Sequence, residues 1–437
     1  MKSIKHIQLL VPILFMGLIV SCKKDAEVVS QPIKDLHLPN LNVLFEDFNT
    51  LDSTENYQGL ANKLFTNNRD LNSSEMYVYA AWMYGKAAIA DSAALMLHRA
   101  IDNGMSNPKV LSKFELEGII GSSENSDKLN MRLDSIQKEL KNTDNFGIQL
   151  EAMDTFWSYF KKAKSDTSNA EVYFKEFIFN GPKELRDYYV IRYMNLESMK
   201  DQIIEETPEY YSYLETQFSQ DSVLALKKRI TGWMKNFKRI YPDAVFPKVY
   251  IVPGLLSSAG TASELGMFVG GDMFGKSANM PIEGMTEWEK EVIAKTEEMP
   301  SLIIHELMHF QQNYGDTKNT NNVLGSVFME GVCDFMVELC TGIVLKNKNT
   351  DFLKDPKNLE MVCADFAKDK FTTDFSRWLY NGEIEDRPFD LGYTFGYLVS
   401  KSYYEKHNDK EKAIYELLNT DDYTEIYKYS DYAYLLN

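Results

Sequence analysis

Apolar positions recur at helical spacing through most of the first half of the chain. In MYVYAAWMYGKAAIADSAALMLHRAIDNG (76–104) they follow the steps of one helix face, and Asn103-Gly104 supplies a stop. This predicts a helical hairpin. The same periodicity predicts helical pieces at 110–120, 128–141, 145–164, 168–179, 185–205 and 221–240. The texture changes near 242. PDAVFPKVYIVPG (242–254) sets a short β-rich run between prolines and a glycine. GMFVGGDMFG (266–275) is a second apolar run with paired glycines. Both are expected as strands of a small sheet upstream of a further helical stretch. A domain boundary is expected near 235.

Outside these patterns lies the N-terminus, MKSIKHIQLLVPILFMGLIVSCKKD. Lys2 and Lys5 precede an apolar run from Ile7 to Val20, too short for a comfortable membrane span and suited to the core of a signal peptide. The end, Ile19-Val20-Ser21-Cys22, resembles a bacterial lipobox. That resemblance implies cleavage before Cys22 and a lipid on its sulfur. A signal anchor with a chance cysteine is the other reading. Lys-Lys-Asp-Ala-Glu (23–27) resembles the signals of surface-exposed lipoproteins in the Bacteroidota. Residues 22–45 are polar, carry Pro32 and Pro39, and read as a tether. The expected plan is therefore a signal peptide (1–21), a tether (22–45), a helical domain (46–235) and a C-terminal domain (236–437). The hairpin at 76–104 also matches tetratricopeptide spacing at Tyr84, Ala93, Leu97 and Ala100. It occurs in one clear copy, and such arrays need several, so a generic hairpin is preferred.

A chain of 437 residues is long enough for a substantial core, and 44% hydrophobic with 25% charged residues is ordinary for a globular protein. The net charge of −17 argues against nucleic acid as a partner, because phosphate binding needs a basic surface. Loss of Lys2 and Lys5 with the leader takes it to −17 − 2 = −19. Beyond Cys22 the cysteines are Cys333, Cys340 and Cys363. An exported protein permits disulfides, but Cys333 and Cys340 lie two helical turns apart, roughly 10 Å, too far to bridge. A pairing of one of them with Cys363 and three small buried residues both remain open.

The chemistry is concentrated in SLIIHELMHFQQN, 301–313. Met299-Pro300-Ser301 opens a helix, since proline is favoured in the first turn. His305 and His309 are four apart and share one face, so their imidazoles can converge on one ion. Glu306 sits beside them as a general base. The competing reading is two core histidines with a surface glutamate, but buried unpartnered imidazoles are costly. After a polar turn comes GSVFMEGVCDFMVELCTG (325–342), with Glu330 and Asp334 again four apart.

His-Glu-x-x-His, a turn, then Glu-x-x-x-Asp on an antiparallel helix resembles the gluzincin pattern. The resemblance makes Glu330 the third zinc ligand, with one Zn2+ per chain, and Asp334 the acceptor that holds the far N–H of His305. Glu338 is the alternative acid on that helix. Gly331 either lets the two helices approach closely or is an ordinary packing glycine. GMFVGGDMFG, LIIHELMHFQQ, MEGVCDFMVEL and DLGYTFGYLVSKSYYE, in that order, resemble the predicted Zn-dependent proteases related to gliding-motility-associated lipoproteins of the Bacteroidota. The resemblance covers about 245–437. It implies a zincin-like C-terminal domain, hence an α+β, mainly helical chain with a small sheet.

The implied activity is that of a zinc metallopeptidase acting on a peptide or protein. Glu306 would take the proton of an activated water and return it to the leaving amine. Tyr393 is the candidate donor to the developing oxyanion, with Tyr397 one turn on as the alternative. His407 reads as surface. The strand around 266–272 is the expected edge for an extended substrate, with Gly270 and Gly271 forming a turn or allowing close approach. The implied location is the cell envelope, lipid-anchored at the outer membrane on its periplasmic or outward side. Two further function classes stay open. One is an assembly lipoprotein with a structural or vestigial zinc site, whose helical half binds a protein partner. The other is a nutrient-binding surface lipoprotein.

Overall fold

The expected hairpin forms as Ser74–Lys86 and Ala90–Asp102, capped at its start by the Ser73 hydroxyl and turned through Ala88 in the left-handed region. In this computed structural model the described residues are 32–217, 220–313, 321–381, 386–420 and 422–433. The expected signal peptide, Cys22 and the first part of the tether lie outside them. Of the unit Met1–Leu36, the described part holds one 3-10 turn, Ile33–Asp35. His37–Asn437 is a second unit with a continuous apolar core. Its first helix, Leu41–Asp52, begins inside the stretch read as tether.

The chain is mainly helical, with one small sheet. The strands are β1 (Ile148–Gln149), β2 (Val249–Val252), β3 (Gly260–Ala262) and β4 (Met267–Gly270), in the order β1-β2-β4-β3. β1 and β4 both run parallel to β2, and β3 runs antiparallel to β4 with Thr261 opposite Phe268. Val249–Val252 and Met267–Gly270 are buried throughout, as expected of strands covered on both faces. β1 comes from the helical half, so the sheet spans the boundary expected near 235.

The expected edge strand is displaced. β4 is flanked on both sides, and the edge beyond it is β3, whose Gly-Thr-Ala sequence has no strand pattern of its own. Three contacts fix it. Asp272, fully buried, accepts the backbone N–H groups of Gly254 and Leu256 at 2.8 and 2.7 Å and the Tyr211 hydroxyl at 2.7 Å. This holds the loop leading into β3, where Leu255 and Leu256 are left-handed. Arg192 donates to Thr261 Oγ1 at 2.9 Å and Ser258 Oγ at 3.2 Å. At the far end, Glu75 Oε1 accepts the Glu264 N–H at 2.6 Å, while Glu264 pairs with Lys113 and with Asn107. Asp187, beneath Glu75, accepts from Ser73, Ser74 and the Glu75 N–H. Burial, then the charges of Glu264 and Asp187, push the Glu75 carboxyl up to about 8.

One face of the sheet is covered from the helical half, where Tyr188 meets Phe268 at 5.0 Å between centroids. On the other lies the helix that carries the histidine motif.

Candidate metal centre

That motif helix is Met299–His309, opened by Pro300 in its first turn. It stops at His309 rather than running on to 313. Gln311 turns back, its amide bonding Val245 O and Leu307 O at 2.8 Å each while Oε1 accepts the Val245 N–H. The second helix, here called the carboxylate helix, is Val323–Thr341. Asn322 caps its start, and Gly342 ends it at φ +72°, where a side chain would be strained. The third, the tyrosine helix, is Leu391–Lys406.

The imidazoles do converge. His305 Nε2 stands 3.2 Å and His309 Nε2 3.3 Å from one oxygen, Glu330 Oε2. Three donors on the corners of a tetrahedral ion with bonds of about 2.0–2.1 Å stand roughly 3.3 Å apart. The spacing and the donor types therefore fit zinc. Each of the three also has an outer partner. His305 Nδ1 bonds Asp334 Oδ1 at 2.8 Å, His309 Nδ1 bonds Gln312 Oε1 at 2.9 Å, and the Tyr380 phenol donates to Glu330 Oε1 at 3.2 Å. With both Nδ1 atoms protonated, both Nε2 lone pairs face the common point.

Burial alone would lower the His305 imidazole, but the charge and hydrogen bond of Asp334, then Glu330 and Glu306, outweigh it and raise its pKa well above the ordinary value. Burial alone would raise the Glu330 carboxyl, and the hydrogen bonds and charge of the two histidines instead hold it well below the usual range. A proton thus sits among these groups where a cation would replace it.

Cys333 is the other donor within reach, grouped with His305 and His309 inside 4.8 Å. Its sulfur lies 3.4 Å from His309 Nδ1, the side of the ring turned away from Glu330. Burial, then the charges of Glu330, Asp334 and Glu306, push its thiol well up. Cys333, Cys340 and Cys363 are all free and buried, so none of them is paired.

Glu306 reaches out of the motif helix toward β3. A Cβ added to Gly260 would lie 2.5 Å from Glu306 Cδ and 2.7 Å from Oε1, so the edge strand rests directly on this carboxylate. Ladder bonds at Ala259–Gly270 and Ser263–Gly266 fix the alternation, which turns the N–H and C=O groups of Gly260 and Ala262 away from β4. Ser258 Oγ donates to the Gly260 carbonyl at 2.6 Å. Beside His309 a cavity of about 930 Å³ opens between Ala262–Glu264 and residues 106–118 of the helical half, Lys109 and Lys113 among them.

Gly331 serves a close approach, though to a different helix from the one expected. Its Cβ would lie 2.1 Å from the Gly396 carbonyl carbon, so it is the carboxylate and tyrosine helices that touch backbone to backbone. This crossing brings Tyr393, one turn before Gly396, to 6.2 Å from the His305 ring. The Tyr393 phenol bonds Tyr380, and its own proton is held by burial and then the charge of Glu330. Tyr397, the alternative, bonds Glu338 instead, and Lys401 pairs with the same carboxylate at 2.8 Å. Glu338 is thus neutralised away from the histidines. His407 bonds the Asp409 carbonyl at the surface.

Gln312 and Tyr380 escaped the sequence reading. Gln312 had a signal, three positions after His309. Tyr380 had none, because it lies in a loop seventy-odd positions downstream.

Residues 274–424 match the family described as Predicted Zn-dependent protease (DUF2268). The span holds every residue placed around Glu330 here and none of the four strands. No curated protein and no solved structure matches the chain.

Proposed function

We propose that this protein is a zinc-dependent peptidase, with His305, His309 and Glu330 as the metal ligands and Glu306 as the general base. The convergence of two Nε2 atoms on Glu330 Oε2, at 3.2 and 3.3 Å, carries the reading. Zinc held there would supply a water acidic enough to deprotonate near neutral pH. Glu306 accepts that proton and delivers it to the leaving amine nitrogen. Asp334 and Gln312 hold the imidazole tautomers. The outward N–H and C=O groups of Gly260 and Ala262 offer backbone pairing to an extended peptide, which binds with little dependence on its side chains. The cavity beside His309 gives that peptide room beyond the reacting bond, with the helical half as its wall.

The test is metal content by mass spectrometry on the full chain in detergent, beside His309→Ala, together with hydrolysis of a casein digest. The reading expects about one zinc per chain, lost in the variant, and cleavage that a chelator stops. A folded wild-type chain without metal, or with zinc and no cleavage, overturns it.

We further propose that the chain is anchored to the cell envelope by a lipid on Cys22. The charged, apolar and small-residue order of 1–22 supports this. No described helix is long and apolar enough to cross a membrane. Labelling with a fatty-acid analogue should mark the wild type and spare Cys22→Ser. Label retained in that variant overturns the anchor.

A further inference from the structure

Tyr380 is held in a way that packing does not explain. Its backbone is left-handed, φ +56°, which a bulky aromatic adopts only when its surroundings impose it. Those surroundings are a clamp. Asn381 Oδ1 accepts the Asp390 N–H at 2.7 Å, the Asn381 N–H meets Asp390 Oδ1 at 3.4 Å, and Trp378 O accepts the Gly392 N–H at 2.8 Å. The clamp fastens residue 380 to the start of the tyrosine helix. Yet the side chain so fixed is 73% exposed. Its phenol ends on Glu330 Oε1, one carboxylate's width from the point where the three donors converge. Tyr393 donates to the oxygen of the same phenol, so the Tyr380 proton is the one committed to Glu330 Oε1, beside that point.

We infer that Tyr380 is a catalytic residue, the hydrogen-bond donor to the substrate oxygen that becomes an oxyanion. This rests on the peptidase reading above. Water adds to the amide carbon, Glu306 takes its proton, and the carbonyl π pair moves onto oxygen. The Tyr380 phenol leaves Glu330 and donates to that oxygen without transferring its proton. When the C–N bond breaks, the pair returns to restore C=O, Glu306 protonates the amine, and the phenol returns to Glu330. The expected donor Tyr393 then acts one step removed, by orienting Tyr380.

The experiment uses the full zinc-loaded chain, Tyr380→Phe and Tyr393→Phe. Three quantities are read: cleavage of a casein digest, zinc affinity by chelator competition, and affinity for a phosphinic dipeptide analogue against a simple hydroxamate. The phosphinate carries the tetrahedral oxyanion and the hydroxamate does not. The inference expects Tyr380→Phe to slow turnover about 10²–10³-fold at little change in KM. It also expects zinc affinity to hold and phosphinate affinity to fall more than hydroxamate affinity, with a smaller loss in Tyr393→Phe. A 10–100-fold loss of zinc affinity, with activity restored by excess zinc, makes Tyr380 a positioning residue only and overturns the inference. Unchanged phosphinate affinity in Tyr380→Phe also overturns it. A zinc-loaded wild type that binds phosphinate but cuts nothing overturns the peptidase reading instead, and one that binds no phosphinate overturns both.

Discussion

The backbone of Gly260 lies against the carboxylate of Glu306, with no room for a methyl group between them. The edge strand and the proposed base are therefore set by one contact. Gly260→Ala should push Glu306 aside and slow turnover by tenfold or more, since a displacement of about 1 Å can cost about 10²-fold. Metal content should be unchanged, because the atoms nearest the added methyl group belong to Glu306 and not to the three proposed ligands. Steady-state kinetics with zinc analysis checks both, and full activity in Gly260→Ala would show that this contact is idle.

Glu306→Gln keeps the shape of the side chain and removes the base. Hydrolysis should fall by about 10²–10⁴-fold while zinc stays bound. Equal cleavage by wild type and variant at every pH tested would exclude Glu306 from the proton transfers.

The outer partners of the two imidazoles should matter to the metal more than to the fold. Asp334→Ala and Gln312→Ala are each expected to weaken zinc binding about 10–100-fold. Competition with a chromogenic chelator measures this. Affinity equal to wild type in Gln312→Ala would mean that His309 keeps its tautomer without help.

Gly331 has the Gly396 carbonyl carbon where a Cβ would go. Gly331→Ala must part the carboxylate and tyrosine helices, at a cost of about 1–3 kcal/mol. Thermal unfolding should register a lowered Tm. An unaltered Tm would mean that the crossing relaxes freely.

Glu75 makes stability depend on pH. Its carboxyl, usually near 4.5, lies at about 8 in the folded chain. Across that window the folded chain holds a proton that the unfolded chain has released, so stability is fully present below it and falls as pH rises through it. Glu75→Gln keeps the Oε1 acceptor for Glu264 and removes the titration. The wild-type Tm should drop from pH 5 to pH 8 more steeply than that of the variant, which retains the other raised groups, such as Asp187 at about 6, but not Glu75. Parallel curves would count against a protonated Glu75.

How much of this was legible in the sequence follows from the range of each signal. His305 with His309, and Glu330 with Asp334, are four apart on single helices, a local spacing that survives without knowing the fold. Pro300 marks a helix start for the same reason. β1 and β3 are two and three residues long and owe their extended form to the strands beside them, so no alternation betrays them. The apolar run of β4 suggested a strand correctly, but whether a strand is edge or interior depends on neighbours supplied from elsewhere. Tyr380 was invisible because its place depends on the Asn381–Asp390 clamp. Tyr397 stood behind Tyr393 as the alternative on spacing, and the Glu338–Lys401 pair and the Tyr393 approach to His305 separate them.

The four strands end at Gly270, whereas the first proposed ligand is His305. The proposed reaction and the proposed grip are thus written in separate passages of the chain that meet at Gly260 and Glu306. On the proposed reading, substitutions along the rim of the sheet, or on the wall that residues 106–118 present to it, would redirect which peptides are held and leave the metal chemistry as it was. If the chain is the peptidase proposed, the residues that cut and the residues that choose what is cut lie in two separate stretches of sequence.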